Sequence, residues 1–125
     1  MLARTDAIAN LAVKDLEEAR DFYENILGFT QADSEGDELV TYRSGATSFN
    51  VYRSEYAGTN KATAVTWAVG DRIEAVAEAL AARGVRFEHF EMDGMTLRGD
   101  VHEGDGMRVA WFKDPDGNIL NIVSG

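Results

Sequence analysis

A chain of 125 residues with 45% apolar and 27% charged side chains has ordinary globular composition and the length of one domain with a real core. Its formal charge of −10, from 22 acidic against 12 basic residues, repels phosphate backbones and anionic lipid, which argues against nucleic-acid and membrane-surface partners. The lack of cysteine excludes a disulfide framework, a thiolate nucleophile and a cysteine-ligated metal. No apolar run approaches the roughly 18 residues of a membrane span, and the start Met1-Leu-Ala-Arg-Thr-Asp6 lacks the pattern of an export signal, so a cytoplasmic location is expected.

Ile8 to Val13 is a short apolar run between polar residues and predicts a strand. Asp15 suits an N-cap, with Glu18 three residues on. Leu16, Ala19, Tyr23, Ile26 and Leu27 recur at helical spacing, and Gly28 supplies a left-handed stop. Glu38 to Arg43 and Thr47 to Arg53 are strand-like runs about Ser44-Gly-Ala46, with room for a further strand near Phe29 to Ala32.

After a linker at Tyr56 to Asn60 the same grammar recurs. Ala64 to Val69 predicts a strand, Asp71 with Glu74 a cap, Ile73, Val76, Ala77 and Leu80 a helical face, and Gly84 a stop. Asp15 and Asp71 lie 56 residues apart, as do Gly28 and Gly84, and the pairs Leu11/Trp67 and Val13/Val69 keep that offset. Val85 to Phe90 is a further strand. Met92 to Met107, punctuated by Gly94, Gly99, Gly104 and Gly106, predicts a flexible flap or hairpin, because the glycines at 104 and 106 lack the following helix of a phosphate loop. The only proline sits in Asp114-Pro-Asp-Gly117, where Pro115 presets φ, Asp114 can bond its own backbone and Gly117 accepts a positive φ. That turn makes antiparallel neighbours of Val109 to Phe112 and Ile119 to Val123.

The expected fold is therefore α+β: a single domain over 1–125 with a βαβββ module at about 4–56 and a second at about 61–125. Each module can cover one sheet face with its helix, leaving the other open. Two open faces turned together would make a cleft for a small ligand.

Several motifs carry a resemblance. They are Leu11-Ala-Val-Lys-Asp-Leu16, Ala19, Phe22-Tyr23 and Leu27-Gly28 in the first module, then Val69-Gly-Asp71, Gly84-Val85 and Ala110-Trp-Phe-Lys-Asp-Pro-Asp-Gly-Asn118 in the second. Together they resemble the vicinal oxygen chelate superfamily, which includes glyoxalases, ring-cleaving dioxygenases, fosfomycin-resistance enzymes and bleomycin-binding proteins. The resemblance spans nearly the whole chain. It implies the glyoxalase/bleomycin resistance/dihydroxybiphenyl dioxygenase fold, a curved, incompletely closed barrel with a cleft. Metal-using members carry a His opening the first strand, a Glu on the last strand of module one, a His opening module two and a Glu on the final strand. Aligned by Asp15, Asp71 and the hairpin, these positions fall on Ile8, near Asn50, Ala64 and Asn121. Ile and Ala offer no lone pair and amide oxygens are weak neutral donors, so the expectation is no metal and no cofactor.

Strand alternation puts Asn10 and Ala12 on the face of Ile8, Ser48 and Tyr52 on that of Asn50, Thr66 and Ala68 on that of Ala64, and Ile119 and Val123 on that of Asn121. The candidate ligand-binding residues are thus Ile8, Asn10, Ser48, Asn50, Tyr52, Ala64, Thr66 and Asn121. Leu11, Val13, Phe49, Val51, Val65, Trp67, Val69, Leu120 and Ile122 become core. What the resemblance implies is a metal-free binding protein for a small apolar or aromatic compound, with the negative charge favouring cations over anions. The alternative is a glyoxalase-like lyase or isomerase with relocated metal ligands, or a metal-independent acid-base catalyst using His89, His102 or Glu91. A third reading is a subunit with a vestigial cleft. No nucleophile elbow supports a Ser-His-Asp arrangement. Relatives commonly pair, so a homodimer is expected.

Overall fold

The computed structural model describes residues 1–125, the side chain of Glu35 excepted. It divides into two compact units, Met1–Thr59 and Asn60–Gly125.

The first unit runs β1 (Ala9–Val13), α1 (Leu16–Arg20), β2 (Thr30–Glu35), β3 (Leu39–Ser44) and β4 (Thr47–Arg53). Asp15 starts the helix because its carboxylate accepts the backbone N–H of Glu17 at 2.9 Å and of Glu18 at 3.3 Å, satisfying two orphan donors. Beyond Arg20 the backbone widens into a π-helical segment over Asp21–Ile26, in which Leu27 N–H donates to Phe22 O. Gly28 at φ 84° then lets Phe29 N–H reach back to Tyr23 O at 2.9 Å, and the helix ends. The widening shifts the buried face. Phe22 and Tyr23 are buried, whereas Ile26 and Leu27, expected on the core face, are half-buried.

Strand order is β1-β4-β3-β2, with β1 parallel to β4 and the remaining pairs antiparallel. The parallel pair needs a crossover, which α1 supplies. Leu11, Val13, Val40, Tyr42, Phe49 and Val51 are buried with Leu16, Ala19, Phe22 and Tyr23. Tyr23 stacks on Tyr42 at 5.9 Å, and Phe29 meets Phe49 edge-on at 5.0 Å. The Tyr42 hydroxyl donates to Glu24 Oε2 at 2.8 Å. Burial, reinforced by that carboxylate, pushes the Tyr42 pKa well above the phenol range.

The second unit runs β5 (Thr63–Ala68), α2 (Ile73–Ala82), β6 (Phe87–Glu88), β7 (Thr96–Arg98), β8 (Val101–Gly104), β9 (Met107–Lys113) and β10 (Ile119–Val123). Strand order is β5-β10-β9-β8-β7, with β5 parallel to β10, so the β1/β4 arrangement is repeated. One edge of β9 is shared: β8 pairs Met107 to Val109 and β6 pairs Trp111 and Phe112. A β7–β8 hairpin is thus inserted where the first unit has one continuous strand. The glycine-rich stretch expected as a flap or hairpin contains that hairpin. Asp105 and Gly106, at φ 51° and 73°, turn the chain from β8 into β9.

The duplicated helix start is inexact. Asp71, expected as an N-cap, lies in a 3-10 turn over Gly70–Arg72, and Arg72 at the cap position makes no side-chain cap bond. Gly70 at φ 62° inserts the extra turn, and the Asp71 carboxylate instead approaches Arg108 Nη2 at 3.4 Å. Glu74, in the first turn of α2, takes two bonds from Arg108 Nη1 at 2.6 and 2.7 Å. That guanidinium bond holds the Glu74 carboxyl below its ordinary value. The glycine stop recurs, with Gly84 at φ 99°, but the closing bond from Val85 N–H to Leu80 O spans five residues where that from Phe29 to Tyr23 spans six.

In the Asp114-Pro-Asp-Gly117 turn, the buried Asp114 carboxylate accepts the backbone N–H of Asp116 and Asn118 at 3.0 and 2.9 Å and Asn118 Nδ2 at 2.8 Å. The resulting register pairs Leu120 with Phe112, Asn121 with Trp111 and Ile122 with Ala110. Ile73, Ala77, Val85, Val101, Ala110, Phe112, Leu120 and Ile122 are buried. Val65, Trp67 and Val69 are only half-buried, because β5 is an edge strand. No helix is long and apolar enough to cross a membrane.

Candidate functional site

Alternation gives each sheet a face against its own helix and a second face carrying polar residues. On the first sheet, register aligns Asn10 of β1, Asn50 of β4 and Thr41 of β3 in one row. Thr41 Oγ1 donates to Asn50 Oδ1 at 2.7 Å, Asn50 Nδ2 donates to Asn10 Oδ1 at 3.1 Å, and Asn10 Nδ2 donates to Ile8 O at 3.3 Å. Ser48 and Tyr52 are half-buried on the same side of β4, so the structure brings Asn10, Ser48, Asn50 and Tyr52 together. Ile8 precedes β1, is 52% exposed and edges a shallow pocket of about 580 Å³ with Asp6, Arg43, Thr47 and Ser48. Thr41 escaped the sequence reading, yet the tight turn pairing Ser44 with Thr47 already fixes Thr41 opposite Asn50.

The open face of the second sheet carries Ala64 and Thr66 on β5 and Asn121 on β10; Ala64 and Thr66 are exposed. Asn121 is 8% exposed, and its Oδ1 has no hydrogen-bond partner. Trp111, opposite Asn121, donates from Nε1 to Thr63 Oγ1 at 3.2 Å. On β8, His102 pairs with Val109, which shares the side of Trp111, so His102 belongs to this face too. It is 1% exposed. Phe90 N–H donates to His102 Nε2 at 3.0 Å, and the imidazole packs 6.3 Å from the Phe90 ring and 5.0 Å from Trp111. Accepting at Nε2 puts the hydrogen of a neutral imidazole on Nδ1, where it has no partner. His89 is half-exposed, its Nε2 2.8 Å from Asp100 Oδ1. Glu103, next to His102 in sequence, pairs with Arg98 at 3.0 Å, and Glu88, next to His89, approaches Lys113 at 3.5 Å.

The sequence profile of the Glyoxalase/Bleomycin resistance protein/Dioxygenase superfamily matches residues 4–122. The chain belongs to this superfamily. No curated protein matches it closely enough to count as a relative. Among solved structures, it is similar to a glyoxalase family protein from Enterococcus faecalis (TM-score 0.73, 16% identity, covering 98% of this chain and 99% of that one). It is also similar to lactoylglutathione lyase from Agrobacterium tumefaciens (TM-score 0.70, 14% identity, covering 95% and 92%). The fosfomycin resistance protein FosX from Mesorhizobium loti gives TM-score 0.69 at 14% identity, covering 98% and 92%. At such identities these likenesses speak for the fold.

The resemblance would put the metal ligands of metal-using members at Ile8, near Asn50, at Ala64 and at Asn121. Ile8 and Ala64 present hydrocarbon. The Asn50 oxygen is already an acceptor for Thr41, and its amide nitrogen is a donor to Asn10. Asn121 Oδ1 alone is uncommitted, and a single neutral amide oxygen does not fit a divalent cation. Among the described residues, no three His, Cys, Asp or Glu side chains are grouped to hold a metal ion elsewhere. The side chains present do not fit the superfamily's metal.

Proposed function

We propose that this superfamily member is a metal-free binding protein for a small apolar or aromatic molecule, held by neutral hydrogen-bonding groups. The observation that carries the reading is the state of the four ligand positions: two hydrocarbon side chains, one amide oxygen engaged by Thr41, and one buried amide oxygen left unpaired. In the first unit Asn10, Ser48, Asn50 and Tyr52 supply polar groups beside the apolar Ile8; in the second, Thr66 and Asn121 do so beside Ala64. The absence of cysteine fits a reducing, cytoplasmic setting.

The test has two arms. After exposure to Zn²⁺, Ni²⁺ and Mn²⁺ and desalting, elemental analysis is expected to find far less than one ion per chain; about one ion bound in stoichiometric fashion would sink the metal-free reading. A thermal-shift screen of small aromatic compounds is then expected to yield ligands whose stabilisation is lost in Asn121→Ala. Hits that stabilise the variant equally would remove Asn121 from the site.

A second reading, metal-independent acid-base catalysis, is favoured by His102, whose Nδ1 is buried and unpartnered, and by the His89–Asp100 pair. In that case a turnover assay on glyoxalase-type substrates in the presence of a chelator would detect activity abolished by His102→Gln.

A further inference from the structure

The second unit holds a pocket of about 510 Å³ lined by His89, Phe90, Glu91, Met92, Met95 and Leu97, none of them among the neutral hydrogen-bonding groups of the proposed site. Its apolar side chains are accessible, with Phe90, Met92 and Leu97 each more than 40% exposed. Methionine thioethers on long unbranched stems adapt to varied apolar shapes. The pocket is also braced. Phe90 is anchored through its backbone N–H to buried His102, and Leu97 pairs with His102 across β7 and β8. Met95 N–H donates to Met92 O, closing a turn. Gly104 of β8 lies so near the Gly94 carbonyl that a Cβ there would run into it. The loop is therefore seated directly on the strand beneath it.

Charge decides what such a pocket takes. The basic side chains of the neighbouring strands are already engaged: Arg98 with Glu103 at 3.0 Å, Arg108 with Glu74 at 2.6 Å, and Lys113 with Glu88 at 3.5 Å. His89 is held by Asp100 at 2.8 Å. Glu91 has no such partner among the described residues, so it leaves an uncompensated carboxylate in a pocket with a partly exposed aromatic ring and two thioethers. A cation with an apolar body satisfies all three: ion pairing with Glu91, cation–π attraction to Phe90, and apolar contact with Met92, Met95 and Leu97. An anion meets a chain of net charge −10.

We propose that this pocket is a binding site for a small organic cation, a substituted amine or quaternary ammonium with an aromatic or aliphatic body. The probe is benzyltrimethylammonium, with benzyl alcohol as the neutral and phenylacetate as the anionic comparison. The readout is the four methionine methyl resonances of ¹³C-methyl-labelled protein. Saturable shifts of Met92 and Met95 with the cation, and none at Met1 or Met107, are expected. Phenylacetate should leave all four in place, and benzyl alcohol should bind more weakly. Glu91→Gln should weaken the cation about fivefold without altering the melting temperature. Glu17→Gln, which removes the same charge from the first unit, should change nothing. The proposal is overturned by no saturable shift at roughly 10 mM, by equal affinity for benzyl alcohol, or by an unchanged Glu91→Gln variant. It is also overturned if Met92 and Met95 move with protein concentration alone, which would make the patch a contact between copies of this chain.

Discussion

Asn50 and Asn121 occupy corresponding places in the two units, and the sequence treats them as equivalent; their surroundings make them opposites. Asn50 both accepts from Thr41 and donates to Asn10. Asn50→Ala therefore strands two polar side chains and is expected to cost about 1–2 kcal/mol in a denaturant melt. Asn121 has a buried oxygen with nothing to accept. Asn121→Leu, of similar volume, is expected to be neutral or to stabilise by up to about 1 kcal/mol while abolishing ligand response at the site. A drop as large as that for Asn50→Ala would show that the Asn121 amide is structural. Tyr42 gives a pH prediction. Burial first, and the Glu24 carboxylate second, disfavour its phenolate in the folded state. The unfolded chain thus releases the proton first. The stability linked to Tyr42 is complete below the ordinary phenol value near ~10 and is lost as pH climbs toward the higher folded value. Tyr42→Phe should flatten that alkaline decline in equilibrium melts; an unchanged slope would exclude Tyr42 as its source.

At the scale of elements, what was legible followed from local chemistry with a fixed period. Period-two alternation placed Leu11, Val13, Phe49, Val51, Leu120 and Ile122 in the core, where they are buried. The glycines at 28 and 84 stopped their helices because each has a positive φ. What was illegible depended on cooperation at a distance. Nothing in Asp21 to Ile26 announces a π-helical segment, and Asp71 looks like a cap until Gly70 and Arg108 draw it elsewhere. The burial of His102 rests on Phe90 and Trp111, 12 residues before it and nine after, and its pairing with the Phe90 amide has no signature in composition. The Asp114 turn was legible and can be tested. Asp114→Ala leaves two backbone N–H groups and the Asn118 amide without their acceptor, so a loss of about 2–3 kcal/mol is expected. Asp114→Asn keeps one acceptor oxygen and should lose less. Equal losses would mean that the one acceptor oxygen asparagine keeps does nothing for the turn.

For the whole molecule, the two units repeat one topology, a parallel pair joined through a helix and extended by antiparallel strands, yet they differ in what their open faces carry. The first presents a connected row of neutral polar groups; the second presents Trp111 with the buried polar atoms of Asn121 and His102. In strand order the outermost strands are β1 and β2 in one sheet and β5 and β7 in the other. The outer strand of a sheet can pair with a second chain. A homodimer is accordingly proposed, and light scattering at tens of micromolar, roughly the range in which such interfaces form, should give twice the chain mass. A monomer at that concentration would count against it.

The row formed by Thr41, Asn50, Asn10 and the Ile8 carbonyl has a grammatical direction: each member gives a hydrogen to the next, and none can answer back. A sentence with fixed word order admits newcomers only in certain cases. At the Thr41 end the hydroxyl has spent its hydrogen and keeps lone pairs, so a guest there must be a giver. Above Asn50 and Asn10 each amide nitrogen holds a second hydrogen and each amide oxygen a second lone pair, so a guest there can take or give. Two molecules of identical outline, one with its hydroxyl and carbonyl exchanged, would be told apart at the Thr41 end of this row before any charge or metal entered the question.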